Sequence, residues 1–262
     1  DPQEEMTPGG YSIIVQDDNG GGLVQDFYWG VLAINTNKSI YAMDDVGNFS
    51  FAVLDEKGNI NCNAELNLEI QDKNGGILRL STIGGPIVKI GGCGKKQMIL
   101  EPDYGASIKL LSLGTYRLIL TAVTGNGEYQ IADKIEVRDY VAHDIERYSA
   151  TRIYPPVDYP MIFTVRANED YSGIVTERVP YGFDVSELSK EEIKEHLDVS
   201  DEDVGLQELL GIKETHEGIL LEWFVGFEKG KTYTFGYKYR TPFRSPAFYL
   251  LGPLAIGDFK EM

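Results

Sequence analysis

Between Phe49 and Ile70 apolar and polar residues take turns so regularly that only extended chain can use the pattern. Ile60, Cys62, Ala64, Leu66, Leu68 and Ile70 fall on one side of a strand, and Asn61, Asn63, Glu65, Asn67 and Glu69 on the other. Phe49, Phe51 and Val53 repeat the period upstream. On a helix, residues two apart spread around the whole circumference, so neither face would be apolar. Asp55-Glu56-Lys57-Gly58-Asn59 is polar, contains Gly and has hairpin length, which predicts that the two runs pair as a β-hairpin.

The same signal recurs along the 262 residues. Tyr116, Leu118, Leu120 and Ala122 alternate, Asn126-Gly127 supplies the positive-φ pair of a tight turn, and Tyr129, Ile131, Ile135 and Val137 return. After a polar stretch beginning at Asp139, Met161, Phe163, Val165 and Ala167 restart the alternation. Ile219, Leu221, Trp223, Val225 and Phe227 share a face, and Tyr233, Phe235, Tyr237 and Tyr239 answer them across Glu228-Lys229-Gly230-Lys231. Short strands at regular spacing with turn residues between them predict an all-β chain of two tandem Ig-like β-sandwich domains. The expected divisions are an extended segment over 1–26, a sandwich over 27–138 and a second over 139–262. A helical insertion is expected over about 186–212, because Ser189 and Glu192 have capping-box spacing and Asp201 to Leu210 suits a second short helix. The apolar stretch Phe248 to Phe259 is expected to pair as a last strand or to dock on a partner.

Two resemblances follow from these residues. Ser39-Ile40-Tyr41, Phe49 to Val53, Leu54-Asp55-Glu56-Lys57-Gly58, Ala64 to Ile70 and Gly114-Thr115-Tyr116-Arg117-Leu118 resemble the macroglobulin-like and invasin-like Ig modules of bacterial and archaeal surface proteins, over about Phe27 to Val137. No stretch resembles the thioester motif of macroglobulins, so a covalent protease trap is not implied. Pro180-Tyr181-Gly182-Phe183, Leu221-Glu222-Trp223 and Lys229-Gly230-Lys231 resemble the conserved repeat domain of prokaryotic envelope proteins, over about Thr151 to Pro242. Both resemblances imply a structural module at a cell surface.

Composition narrows the chemistry. Against 41 Asp and Glu stand 24 Lys and Arg, a net charge of -17, which disfavours nucleic acid because affinity for it comes from neutralising phosphates with cations. No apolar run is long enough to span a bilayer, so no membrane insertion is expected within the chain. A start at Asp1 reads as a processed or excised piece. Cys62 and Cys93 are the two cysteines, either a disulfide closed by the flexible Gly91-Gly92-Cys93-Gly94 or a buried thiol beside an exposed one.

No catalytic residues are assigned. His143, His196 and His216 stand beside no nucleophile, and no Walker, dinucleotide or G-x-S-x-G pattern occurs. No cofactor is expected, save that Asp44, Asp45, Asp201 and Asp203 offer hard oxygen ligands to a structural calcium. Trp223, Tyr233, Tyr237 and Tyr239 would form a sugar-stacking platform if exposed, and packed sheet aromatics if not. Tyr11, Ile13, Ile14 and Val15 lie on a segment that could add as a strand to a neighbour's open sheet edge, or pair within its own chain. The sequence therefore predicts a non-enzymatic structural or interaction module of an extracellular cell-surface protein: a stalk, an envelope-layer subunit or a filament subunit. Its expected partners are copies of itself, other surface proteins or glycans, and the alternative is a carbohydrate-binding or adhesin module.

Overall fold

The computed structural model describes residues 9–16, 22–29, 32–55, 59–90, 93, 102–125, 127–151, 153, 157–200, 209–216, 218–242 and 249–261, with the backbone alone at 9–16, 22–29, 209 and 210. Among these residues the chain is built of strands, with one short helix.

Strands β1 (Gly9–Gln16) and β2 (Gly22–Trp29) pair antiparallel as a ribbon, with Tyr11 opposite Phe27 and Val15 opposite Leu23. The first sandwich follows as β3 (Leu32–Thr36), β4 (Ile40–Ala42), β5 (Val46–Val53), β6 (Glu65–Gln71), β7 (Ile77–Ser81), β8 (Val88–Lys89), β9 (Tyr104–Lys109), β10 (Gly114–Thr124) and β11 (Gly127–Arg138). One of its sheets has the order β4-β11-β10-β6-β7 and the other β3-β5-β9-β8. The second sandwich contains β12 (His143–Ser149), β13 (Tyr159–Ala167), β14 (Tyr171–Val179), β15 (Asp184–Glu187), α1 (Lys190–His196), β16 (Leu209–Thr215), β17 (Gly218–Phe227), β18 (Thr232–Arg240), β19 (Leu254–Ile256) and β20 (Phe259–Glu261). Its sheets run β12-β13-β18-β15 and β16-β17-β14-β19-β20.

Each pair of sheets closes on its own core. Phe49, Phe51 and Val53 meet Leu66, Leu68, Ile70, Leu118 and Leu120 in the first, while Phe163, Val165, Trp223, Phe235 and Tyr237 fill the second. The alternation seen in sequence sets which residues enter these cores, since every second side chain of a strand points inward.

The pairing of Phe49–Val53 with Ile60–Ile70 as a hairpin is corrected by the structure. β5 and β6 belong to opposite sheets, and the backbone pairing seen between the two runs is at the turn, where Asn61 N–H donates to the Val53 carbonyl at 2.8 Å and Leu54 bridges Ile60. The chain crosses the core there and arches from one sheet to the other. The same holds for the facing runs at 219–227 and 233–239, which lie on β17 and β18 in opposite sheets. β10 and β11, by contrast, form a true antiparallel hairpin, but the predicted central pair is shifted: Gly127 already belongs to β11 at φ +142°, opposite Thr124, and position 126 lies outside the described residues.

The helical insertion is shorter than its expected 186–212. Ser189 caps α1, its Oγ accepting from the Glu192 N–H while the Glu192 carboxylate accepts from the Ser189 N–H at 2.8 Å. Ser186 and Glu187, however, are the end of β15, and Leu209 opens β16. Of the expected second helix, residues 201–208 lie outside the described residues, and 209 and 210 are strand. Leu188 and Ile193 pack on Ile162, which points out of the back of β13, so the helix covers the outer face of its sheet. The C-terminal apolar stretch pairs within the chain, β19 against β14 and β20 against β19.

Candidate functional site

Cys62 and Cys93 form a disulfide, their Cα atoms 5.8 Å apart. It ties the arch that leads into β6 to the segment after β8. Tyr104 reinforces the same arch from β9, its hydroxyl donating to the Asn61 carbonyl at 3.0 Å and accepting from the Ala64 N–H at 3.0 Å. Burial pushes this phenol above its ordinary pKa.

The aromatic platform is corrected. Trp223, Tyr237 and Tyr239 are fully buried. Trp223 packs between Phe163 and Phe235, with ring centroids 6.3 and 5.4 Å away, and Tyr239 against Phe183 at 5.9 Å. Tyr233 is half-buried, stacked on Phe227 with its hydroxyl accepting from the Glu228 N–H at 2.8 Å. These residues stand on the core face of their strands, so no sugar ring can reach Trp223, Tyr237 or Tyr239.

Asp44 and Asp45 are adjacent but face cations. Asp44, at φ +72°, pairs with Lys109 at 2.9 Å, and Asp45 accepts from Lys38 Nζ and from the Ala42 N–H, both at 3.1 Å. Asp201 and Asp203 lie outside the described residues. Among the described residues no three His, Cys, Asp or Glu side chains come together in a way that could hold a metal ion. His143 opens β12, His196 closes α1 and His216 sits in the turn between β16 and β17, so the histidines share no element. Tyr11, Ile13, Ile14 and Val15 lie on β1, paired with β2 of the same chain.

Among the described residues a dense polar site forms at the joint between the two sandwiches, which sequence patterning does not single out. The turn between β3 and β4 enters it from one side, and β12 with the C-terminal β20 from the other. The Asn37 carbonyl accepts from the Arg147 N–H at 2.9 Å, and Asn37 Nδ2 donates to Glu146 Oε1 at 2.7 Å. Lys38 stands between the sandwiches, 3.1 Å from Asp45 on one and 2.6 Å from Asp144 on the other. Burial pulls the Lys38 ammonium down, but Asp144 and Asp45 outweigh it and hold its pKa above the ordinary value. Glu261 Oε1 accepts from the backbone N–H groups of both Ser39 and Ile40, the latter at 3.0 Å.

Behind this contact the second sandwich keeps a buried ionic core. Arg147 donates to Glu177 at 3.0 and 3.4 Å and to the Glu261 carbonyl at 2.8 Å, its guanidinium lying 5.1 Å over the Phe163 ring. Burial raises the carboxyls of Glu177 and Glu261 above their usual range, opposed in the first by Arg147 and in the second mainly by the Ser39 amide. Burial and the neighbouring Glu177 carboxylate raise the Tyr237 phenol as well. Asn168 ties down the connection between the sandwiches, its backbone N–H donating to the Ala142 carbonyl at 2.9 Å and its side-chain Nδ2 to the Val141 carbonyl at 2.8 Å.

No protein-family model matches the chain, and no curated protein matches it. Among solved structures, a protein of the DUF4785 family from Legionella pneumophila has 9% identity and a TM-score of 0.31, covering 79% of this chain and 46% of that one. A trypsin-activated alpha-2-macroglobulin from Escherichia coli has 10% identity and a TM-score of 0.29 over 89% of this chain and 16% of its own. A chitinase from Bacillus thuringiensis has 12% identity and a TM-score of 0.26 over 83% of this chain and 28% of its own. The chain thus spans less than half the length of each, and likeness at this level assigns neither family nor activity.

Proposed function

We propose that this chain is a non-enzymatic, shape-holding module of an extracellular cell-surface protein, a stalk, envelope-layer or filament subunit in which two sandwiches act as one rigid body. The observation that supports it is the joint. Tandem domains whose relative orientation is unimportant meet through small, wet, exchangeable contacts. Here a carboxylate from the last described strand of one sandwich accepts two backbone amides of the other, and Lys38 bridges carboxylates of both. Such contacts are costly to form unless orientation matters, because burying charges is unfavourable unless their geometry is held. The disulfide suits an oxidising compartment, and the resemblances at Ser39 to Leu118 and Pro180 to Lys231 are to modules of surface proteins. Electron microscopy of the native material, with antibody labelling of intact cells, tests the proposal. Regular surface projections, layers or fibres carrying the label are expected; label confined to the cell interior would overturn it.

A further inference from the structure

Two features of the first sandwich remain unused by the joint, and they are complementary. The first is the β1–β2 ribbon. It is a two-stranded sheet of its own, joined to neither sheet of the sandwich it precedes, so among the described residues both of its outer edges lack a strand partner. From Asp1 to Asn37 the sequence carries six acids, among them Asp17, Asp18 and Asp26 around the ribbon, and no Lys or Arg.

The second is the opposite side of the same sandwich. Among the described residues β7 is the last strand of its sheet and β8 of the other. The Asp72 N–H bonds the Gly76 carbonyl at 2.9 Å and the Thr82 N–H the Leu66 carbonyl at 3.0 Å. In antiparallel pairing this parity turns the backbone groups of Leu78 and Leu80 toward β6 and those of Ile77 and Arg79 toward the open side. The Ser81 carbonyl is already taken by the Ile87 N–H at 3.2 Å. Ile77, Leu78, Ile83 and Val88 line this edge with exposures between 46% and 68%. Soluble proteins usually shield such an edge. In a chain of net charge -17, the stretch from Lys73 to Leu100 nevertheless contains five cations and no acid. Lys73, Arg79 and Lys89 are exposed there, Arg79 also pairing with Glu69.

We propose that the open β7 edge accepts the β1–β2 ribbon of a second copy of this chain. This rests on, and deepens, the structural role proposed above. An added strand would satisfy the outward backbone groups of Ile77 and Arg79, cover the apolar side chains and set an acidic segment against a basic one. The ribbon cannot make this contact at home. β2 leads into β3 and packs beside β11, at the edge of the sandwich farthest from β7 and β8. Donor and acceptor are therefore different surfaces on opposite sides of one molecule, and pairing between copies is head-to-tail, which leaves each added copy with a free donor or acceptor for the next.

Sedimentation velocity of the full chain over rising concentration tests this. An open series of species beyond the dimer is expected. Arg79→Pro, which removes an outward N–H without touching a backbone bond to β6 and gives up only the exposed ion pair with Glu69, should abolish the series with little change in melting temperature. Lys73→Glu combined with Lys89→Glu should raise the concentration at which assembly appears about tenfold. If Arg79→Pro alters melting, Ile77→Asp, a change at an exposed side chain that sets an acid against the acidic ribbon, replaces it with the same expectation. A wild type that stays monomeric, a series that stops at a closed dimer, or unimpaired assembly in these variants would overturn the proposal. A rigid monomer would leave the shape-holding role standing and remove strand addition alone.

Discussion

At Glu261 a single carboxylate does the work of a helix cap without a helix, satisfying two backbone donors that the turn between β3 and β4 presents to the neighbouring sandwich. Glu261→Ala leaves both donors without their acceptor at a cost of about 1–3 kcal/mol for each that stays buried. Glu261→Gln keeps an acceptor oxygen and discards the charge. Because burial raises the Glu261 carboxyl, the folded chain holds its proton more tightly than the unfolded chain does. Its contribution is complete below the unfolded pKa and is lost as pH rises through the folded one. Denaturant titrations across that window should show Glu261→Gln relieving the alkaline-side loss, and Glu261→Ala the less stable of the two variants at every pH. His143 carries the opposite sign. It is buried against Tyr171, Phe227 and Phe259 with Nδ1 lacking a hydrogen-bond partner, and burial lowers its pKa although the Glu169 charge opposes the shift. The stability that goes with neutral His143 is present above about pH 6.5, the free histidine value, and fades as pH falls through the lowered one. His143→Phe fits the same aromatic surroundings and cannot protonate, so its acid-side melting should be flatter than that of the wild type. An identical acid slope in the two proteins would exclude His143 as its source.

Among elements, the two arches explain what sequence can and cannot say. Strand identity and facing were legible: Leu66, Leu68 and Ile70 are buried as their alternation requires, and so are Trp223, Tyr237 and Tyr239. Partnership was not. A polar turn such as Asp55 to Asn59 serves a hairpin and an arch equally well, because each leaves two alternating strands with apolar faces, side by side in one sheet or opposed across the core. The connection between β10 and β11 left no such choice: Thr124 stands opposite Gly127, and the two positions between them are too few to cross from one sheet to the other. The joint stayed hidden for a related reason. Asn37, Lys38, Glu146, Arg147 and Glu261 are ordinary surface residue types in a highly charged chain, and only the fold makes their positions exceptional. The disulfide secures the first arch, closing 31 residues. On chain-entropy grounds a loop of that size is worth about 3–4 kcal/mol. Urea unfolding with and without reductant, and of Cys62→Ala with Cys93→Ala, should show that loss for the transition of the first sandwich and none for the second.

For the whole molecule, the question is whether two cores behave as one body. Lys38 is the sharpest probe, because it touches both sandwiches while belonging to neither core. Lys38→Met retains the aliphatic stem that runs toward the Tyr41 ring and removes the charge, leaving Asp45 and Asp144 with no cation between them. The side chains are 12% to 28% exposed, between the surface and buried limits for ion pairs. The joint should therefore weaken by about 1–2 kcal/mol while each core keeps its own packing. Small-angle scattering separates the two effects. The wild type should fit one fixed shape at all ionic strengths, since short, half-buried contacts are little affected by screening. Lys38→Met should show a larger maximum dimension and a profile that needs an ensemble of orientations, with near-wild-type melting of both sandwiches. Combining it with Glu261→Ala should widen the ensemble by more than the two changes do singly, because each leaves the other to hold the same turn. Superimposable profiles for wild type and double variant would mean that packing beyond these polar contacts sets the orientation, and the joint would lose its place as the feature that makes this chain a rigid unit.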